Sequence, residues 1–182
     1  MQTKPHRMSG VTLVELMVTI AVAAIIAAIA VPSFQSTVRS NRIATTANEL
    51  LASLMLARSE AIRNGSSAGI CPSANGTTCS NDWSAGWLVW SDTDGNGNLD
   101  GTETVIRYSQ ARNGVQLSTG NANRFIFDRR GRARGRDGSN ADLSGSQVLT
   151  IKPKDCPAGE QVARDITITA TGQSRLSRSA CA

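Results

Sequence analysis

An apolar run from Val11 to Val31, 21 residues interrupted only by Thr12, Glu15 and Thr19, limits what this chain can become more than any other feature. As a helix rising about 1.5 Å per residue it is about 30 Å long, the thickness of a bilayer's hydrocarbon core. The residues before it carry Lys4 and Arg7 and no acid. That asymmetry predicts a single-pass segment whose N-terminal end stays cytoplasmic. A cleavable secretory signal has the same basic-then-apolar layout. Two features argue against it. A carboxylate inside a transmembrane segment costs about 2.5–3.5 kcal/mol and is retained only for a purpose, and Glu15 is such a group. The sequence beyond the run also continues as a helix.

Pro32 lacks the N–H that a helix needs, which predicts a kink or local melting there. Past it, Phe34, Val38, Ala47, Leu50, Leu51, Leu54, Ala57, Ala61 and Ile62 recur at three- and four-residue spacing. Arg39, Arg42, Asn48, Arg58 and Arg63 lie between them, which gives an amphipathic helix with one face to cover. Asn64-Gly65 supplies a stop. The expected organisation is a leader (residues 1–10), a transmembrane helix (11–31), an amphipathic helix (32–64) and a head (65–182).

After Gly65 the helical period disappears. Ala68–Cys71, Gly86–Trp90, Thr104–Tyr108, Val115–Leu117, Phe125–Phe127, Val148–Ile151 and Ile166–Ala170 are short apolar or alternating runs separated by Gly, Asn, Asp and Ser. They predict the strands of an antiparallel sheet, so the class is α+β. Trp83, Trp87 and Trp90 are expected in the packing, with Trp87 and Trp90 on opposite faces of a regular strand. Four cysteines behind a membrane segment read as disulfides in an oxidising compartment. Of three connectivities, the sequence-local one is favoured: Cys71–Cys79, closing a Gly/Asn/Thr loop, and Cys156–Cys181, pinning the C-terminus.

Three stretches carry a family resemblance. Ser9-Gly10-Val11-Thr12-Leu13-Val14-Glu15-Leu16 resembles the processing signal of type IV prepilins and type II secretion pseudopilins, with Val11 where Phe is usual. Ile70-Cys71-Pro72-Ser73 through Cys79 to Gly86-Trp87-Leu88-Val89-Trp90 is similar to the head of the GspH/FimT/FimU group. Phe125-Ile126-Phe127-Asp128-Arg129-Arg130-Gly131 resembles that group's strand end. The resemblance implies a pilin-like fold, a long N-terminal helix on a β-rich head. It also implies cleavage between Gly10 and Val11 by a prepilin peptidase and methylation of the new N-terminus. Glu15 would then pair with a neighbouring subunit's amino group during assembly with other major and minor pilins. The bacterial inner membrane would hold the subunit, head periplasmic, until it enters a pilus or pseudopilus.

Two clusters remain. Asp92-Thr93-Asp94-Gly95-Asn96-Gly97-Asn98-Leu99-Asp100-Gly101-Thr102-Glu103 matches a twelve-residue EF-hand calcium loop, with oxygen donors Asp92, Asp94, Asn96, Asp100 and Glu103. It lies between predicted strands rather than helices, and Asp/Gly clusters also make metal-free hairpins. The expectation is an acidic hairpin, no metal and no cofactor, with calcium the minority reading. The other cluster is basic: Arg129, Arg130, Arg132, Arg134 and Arg136, joined near the C-terminus by Arg175 and Arg178. Guanidinium groups on Gly-rich loops contact phosphates without reading sequence, so double-stranded DNA is a candidate partner; a solvated, charge-balanced loop is the alternative. FimT-like competence pilins bind DNA through a C-terminal Gly-Arg-x-Arg. Here the corresponding tail reads Gly172-Gln173-Ser174-Arg175, and Gly131-Arg132-Ala133-Arg134 lies upstream. The Cys156–Cys181 bridge is expected to hold the two Arg loops in one patch.

The lone histidine, His6, precedes the apolar run, and no nucleophile elbow or phosphate loop occurs. The reading is a non-enzymatic minor pilin assembled into a type IV pilus as a tip or priming subunit, with DNA capture in transformation as an added role. A GspH-like minor pseudopilin of type II secretion is the alternative.

Overall fold

A computed structural model describes Gly10, residues 12–101 and residues 103–181. The proposed leader up to Ser9, Val11 of the cleavage site and Thr102 lie outside the described residues. The chain divides into two compact units, one ending at Arg39 and the other beginning at Ser40.

The first unit is helical. Helix α1, Leu13–Asn64, starts in it and ends in the second. Thr12 caps the start, its Oγ1 accepting the Glu15 N–H at 3.3 Å, so Thr12 and Glu15 occupy the ends of a Thr-x-x-Glu capping pattern. The helix runs unbroken through Pro32, so the expected local melting does not occur. Leu13, Met17, Ile20, Ile25 and Ile29 are all exposed, and the most apolar 18-residue window has none of its residues buried. Such a surface is stable only in lipid or against other apolar surfaces.

The second unit contains the remainder of α1 and ten strands: β1 (Ser67–Pro72), β2 (Gly86–Asp92), β3 (Thr104–Gln110), β4 (Val115–Thr119), β5 (Arg124–Phe127), β6 (Ala133–Arg136), β7 (Asp142–Leu143), β8 (Gln147–Pro153), β9 (Ala163–Ile168) and β10 (Ser174–Ser179). They form a six-stranded sheet ordered β3-β2-β1-β5-β6-β7 and a four-stranded sheet ordered β10-β9-β8-β4, every pairing antiparallel. Each predicted run falls in a strand, although Ile166–Ala170 outlasts β9 by two residues. Gly65, at φ 64°, takes the left-handed conformation that ends α1.

Ile43, Ala47, Leu50, Leu54, Ala57 and Ala61 form the buried stripe of the helix. They meet Ala68, Ile70, Trp87, Val89, Phe125 and Phe127 of the larger sheet and Leu149, Ile151, Ile166 and Ile168 of the smaller one. Each large side chain buried here contributes about 1.5–3 kcal/mol. Ile62, expected on this face, is exposed. Trp87 Nε1 donates to Ser53 Oγ at 2.9 Å, tying sheet to helix within the core. The strand period carries Leu88 and Trp90 to the other face, where they pack with Cys71 and Ile126 in a second, smaller cluster. Trp87 and Trp90 therefore do lie on opposite faces. Cys71 bonds Cys79 across the loop covering that second face, and Cys156 bonds Cys181.

Candidate functional site

Three regions are candidates: the exposed helix, the basic turn and the acidic loop. In the first, Glu15 is the only charged residue from Leu13 to Val31 and is exposed among exposed apolar neighbours.

The basic segment is less of a loop than its composition implies. Arg134 and Arg136 belong to β6, and Arg175 and Arg178 to β10. In β6 the small residues Ala133 and Gly135 face inward, and a Cβ on Gly135 would press on the Gln147 side chain. The arginines take the other face. Asp142 on β7 accepts from Arg134 at 3.3 Å and from Arg136 Nε at 3.0 Å. Arg136, its side chain only 16% exposed, also donates to the Asn96 carbonyl at 2.8 Å. It buttresses the acidic loop, a role the sequence did not assign to it. Arg132 pairs with Asp128 at 2.7 Å. Burial pushes the Asp128 carboxyl up, but the Arg132 and Arg130 N–H groups and the Arg132 guanidinium outweigh it and hold the carboxyl below its usual range. The turn is thus built by its aspartate. Arg129 and Arg130 are exposed on it, with no ion pair among the described residues.

The two basic segments do adjoin, though not through the disulfide. The Ala133 N–H donates to the Ala170 carbonyl at 3.1 Å. Gly172, at φ 79°, forms the turn between β9 and β10 and presses so closely on the Gly131 carbonyl that a Cβ has no room. Arg58, which sequence gave no role beyond the polar face of its helix, reaches this junction and donates to Thr171 O at 3.4 Å. Cys156–Cys181 closes the opposite end of β10, where Cys181 N–H bonds Glu160 O. Arg175 and Arg178, three residues apart on a regularly paired strand, point to opposite faces. They cannot form one patch with each other.

The acidic loop closes β2 and β3. Register pairs Ser91 with Thr104, so Asp92 and Glu103 stand just past the last pair. Carboxylate oxygens of Asp92, Asp94 and Glu103 lie within 4.8 Å of one another. Glu103 accepts the Thr93 N–H at 3.1 Å, and Asn96 Nδ2 bridges Asp94 and Asp100 at 2.7 and 3.0 Å. Arg124, which sequence did not single out, donates to Gly97 O and Asn98 Oδ1. Its only sequence signal is its place before the Phe125 strand. Burial, then the charges of Asp92 and Asp100, push Glu103 up to about 7 from 4.5. Burial and then Asp94 push Asp92 the same way against the Gly97 N–H. Both carboxyls bind protons more tightly folded than unfolded, so their stabilisation is complete below the unfolded values and is lost as pH rises, for Glu103 through about 7. With a chelator present, the thermal midpoint of the full chain in detergent should therefore be lower at about pH 8 than at about pH 5. Glu103→Gln should remove most of that difference. An unchanged difference in the variant would contradict this assignment.

The family model described as type II transport protein GspH matches residues 46–172. The chain belongs to the GspH family. A second model, the prokaryotic N-terminal methylation motif, matches residues 5–31. No curated protein matches the chain. Two crystal forms of the type IV minor pilin FimU from Pseudomonas aeruginosa resemble this GspH-family protein in fold. One has a TM-score of 0.54 at 18% identity, covering 75% of this chain and 89% of that one. The other has a TM-score of 0.50 at 18% identity, covering 73% and 90%. The pilin fold, a helix packed on an antiparallel β head, is therefore present. The methylation motif implies processing by prepilin peptidase and assembly with other pilins or pseudopilins. The family is structural rather than enzymatic.

Proposed function

We propose that this GspH-family protein is a minor pilin of a type IV pilus. It waits in the inner membrane with its N-terminus cytoplasmic and its head periplasmic, and assembles through α1. The observation that carries the reading is the wholly exposed apolar stretch of α1 with Glu15 as its single charge. A lipid span needs only the apolar surface. A carboxylate within it makes sense where an amino group of another subunit can pair with it, because an unpaired buried charge costs about 3–5 kcal/mol and so enforces register. The fold shared with FimU, across 89% of that chain, supports a pilin, and of the two machines that use such subunits the pilus is the one proposed. The test is a deletion strain assayed for twitching, transformation and protein secretion, with sheared pili probed for the subunit. Loss of secretion with normal pili would assign it to type II secretion instead.

A second role, double-stranded DNA binding, is favoured by one observation: Arg129 and Arg130 project from a turn whose other arginine, Arg132, is already neutralised by Asp128. Phosphate contacts of this kind supply affinity rather than sequence choice. Arg129→Gln/Arg130→Gln should weaken duplex binding about tenfold at low salt and lower the salt slope by about 2. Arg132→Gln/Arg134→Gln, which removes ion-paired arginines, should cost much less in the same mobility-shift measurement. Equal losses in the two double variants would sink the assignment to the turn.

A further inference from the structure

We infer that the Asp92–Glu103 loop is a calcium site in which a β-hairpin takes the place of the helix pair that normally frames an EF-hand loop. The donor pattern alone would not carry this, since acidic turns are common. The second observation is Asp92 itself. It is fully buried, and its Oδ2 has no hydrogen-bond partner, although a carboxylate oxygen of Asp92 lies within 4.8 Å of carboxylate oxygens of Asp94 and Glu103. A buried carboxylate oxygen without a partner is a costly feature, and a cation at the cluster would satisfy it.

The geometry agrees with the ion's size. Calcium–oxygen bonds of about 2.3–2.6 Å place two oxygens on one ion no more than about 5 Å apart, and the three carboxylates already meet that limit. The sixth residue, Gly97, is at φ 74°, the sharp turn that calcium loops place there. The eighth, Leu99, packs against the Trp90 cluster and anchors the loop's middle. The first and twelfth ligands are set by the β2–β3 ladder, which ends at Ser91–Thr104, so no flanking helices are needed to bring Asp92 to Glu103. Arg136 and Arg124 hold the Asn96 and Gly97 carbonyls from behind. Neither forms an ion pair with Asp92, Asp94 or Glu103 among the described residues. The Asn96 amide now bridges Asp94 and Asp100, and turning its oxygen inward would complete the fifth ligand position.

The test is calorimetric titration of the full chain in detergent with calcium chloride and, separately, magnesium chloride, alongside thermal unfolding in each salt and in chelator. A site in an exported domain is expected to bind with a dissociation constant of about 10⁻⁴–10⁻³ M. Calcium should give saturable one-to-one binding and a raised thermal midpoint. Asp92→Asn and Glu103→Gln, which preserve shape, should each weaken binding at least about tenfold. Absence of saturable heat together with an unmoved midpoint at about 10 mM calcium would overturn the inference. So would unchanged affinity in a folded Asp92→Asn protein. An equal response to magnesium would overturn it as well, because magnesium demands a tighter octahedral shell that this spread of donors does not provide.

Discussion

Glu15→Leu is expected to leave the protein in the inner membrane at normal levels while reducing its amount in sheared pili by at least about tenfold. The substitution makes the helix more apolar, so membrane retention does not suffer. What it removes is the one charged group in the exposed stretch of α1, the group that most sharply distinguishes a neighbouring subunit from lipid. Hydrocarbon side chains such as Leu13, Met17 and Ile20 gain little on moving from lipid to a helix bundle, because both environments are equally apolar. The amino group that cleavage after Gly10 would create then loses its partner inside the filament, and an orphaned charge there costs about 3–5 kcal/mol, about two to four powers of ten in an equilibrium. Glu15→Asp keeps the charge on a shorter stem and should fall between. Normal pilus content in Glu15→Leu, measured against membrane content in the same cells, would remove Glu15 from the assembly mechanism.

The elements legible in the sequence are those whose burial leaves an apolar trace. Val148–Ile151 and Phe125–Phe127 announced themselves because the core needs their side chains. The strands that sequence missed, β6, β7 and β10, have sequences Ala-Arg-Gly-Arg, Asp-Leu and Ser-Arg-Leu-Ser-Arg-Ser. β6 buries only Ala and Gly, since Phe125 and Gln147 occupy the space beside Gly135, so its inward face carries no hydrophobic signal. β7 and β10 are sheet edges, where charged side chains discourage pairing with other chains. This is why the basic residues look like loops in the sequence and why the structural role of Arg136 leaves no trace there. Its true partners, Asp142 and the Asn96 carbonyl, are joined to it by strand pairing and a long-range contact that no local window contains. The acidic loop is the converse case. Its donors are contiguous, so the pattern was visible, but the unpartnered Asp92 oxygen that gives it force is a property of the packed head.

Gly69→Ala is the single-methyl change expected to damage the head most. Gly69 sits opposite Trp90 in the β1–β2 ladder, and a Cβ there would run into the six-membered ring of the Trp90 indole. The indole cannot yield, because Trp90 is fully buried among Leu88, Ile126 and the Cys71–Cys79 bridge, with Leu99, Val105 and Tyr108 packed around them. Overpacking of this kind costs about 1–3 kcal/mol, and a rigid ring places it at the upper end. At about 2–4 °C per kcal/mol for a domain of this size, the thermal midpoint should drop by about 6–12 °C. Gly138→Ala, where nothing lies within 4 Å of the added methyl, is the matched control and should move little. Because the clash is with the outer ring atoms of the indole, Trp90→Phe should suffer far less from the Gly69 methyl than the wild type does. The double variant would then show a favourable coupling of at least about 1 kcal/mol in a mutant cycle. Strict additivity of the two substitutions would mean that the tight fit between Gly69 and Trp90 is not what limits this position.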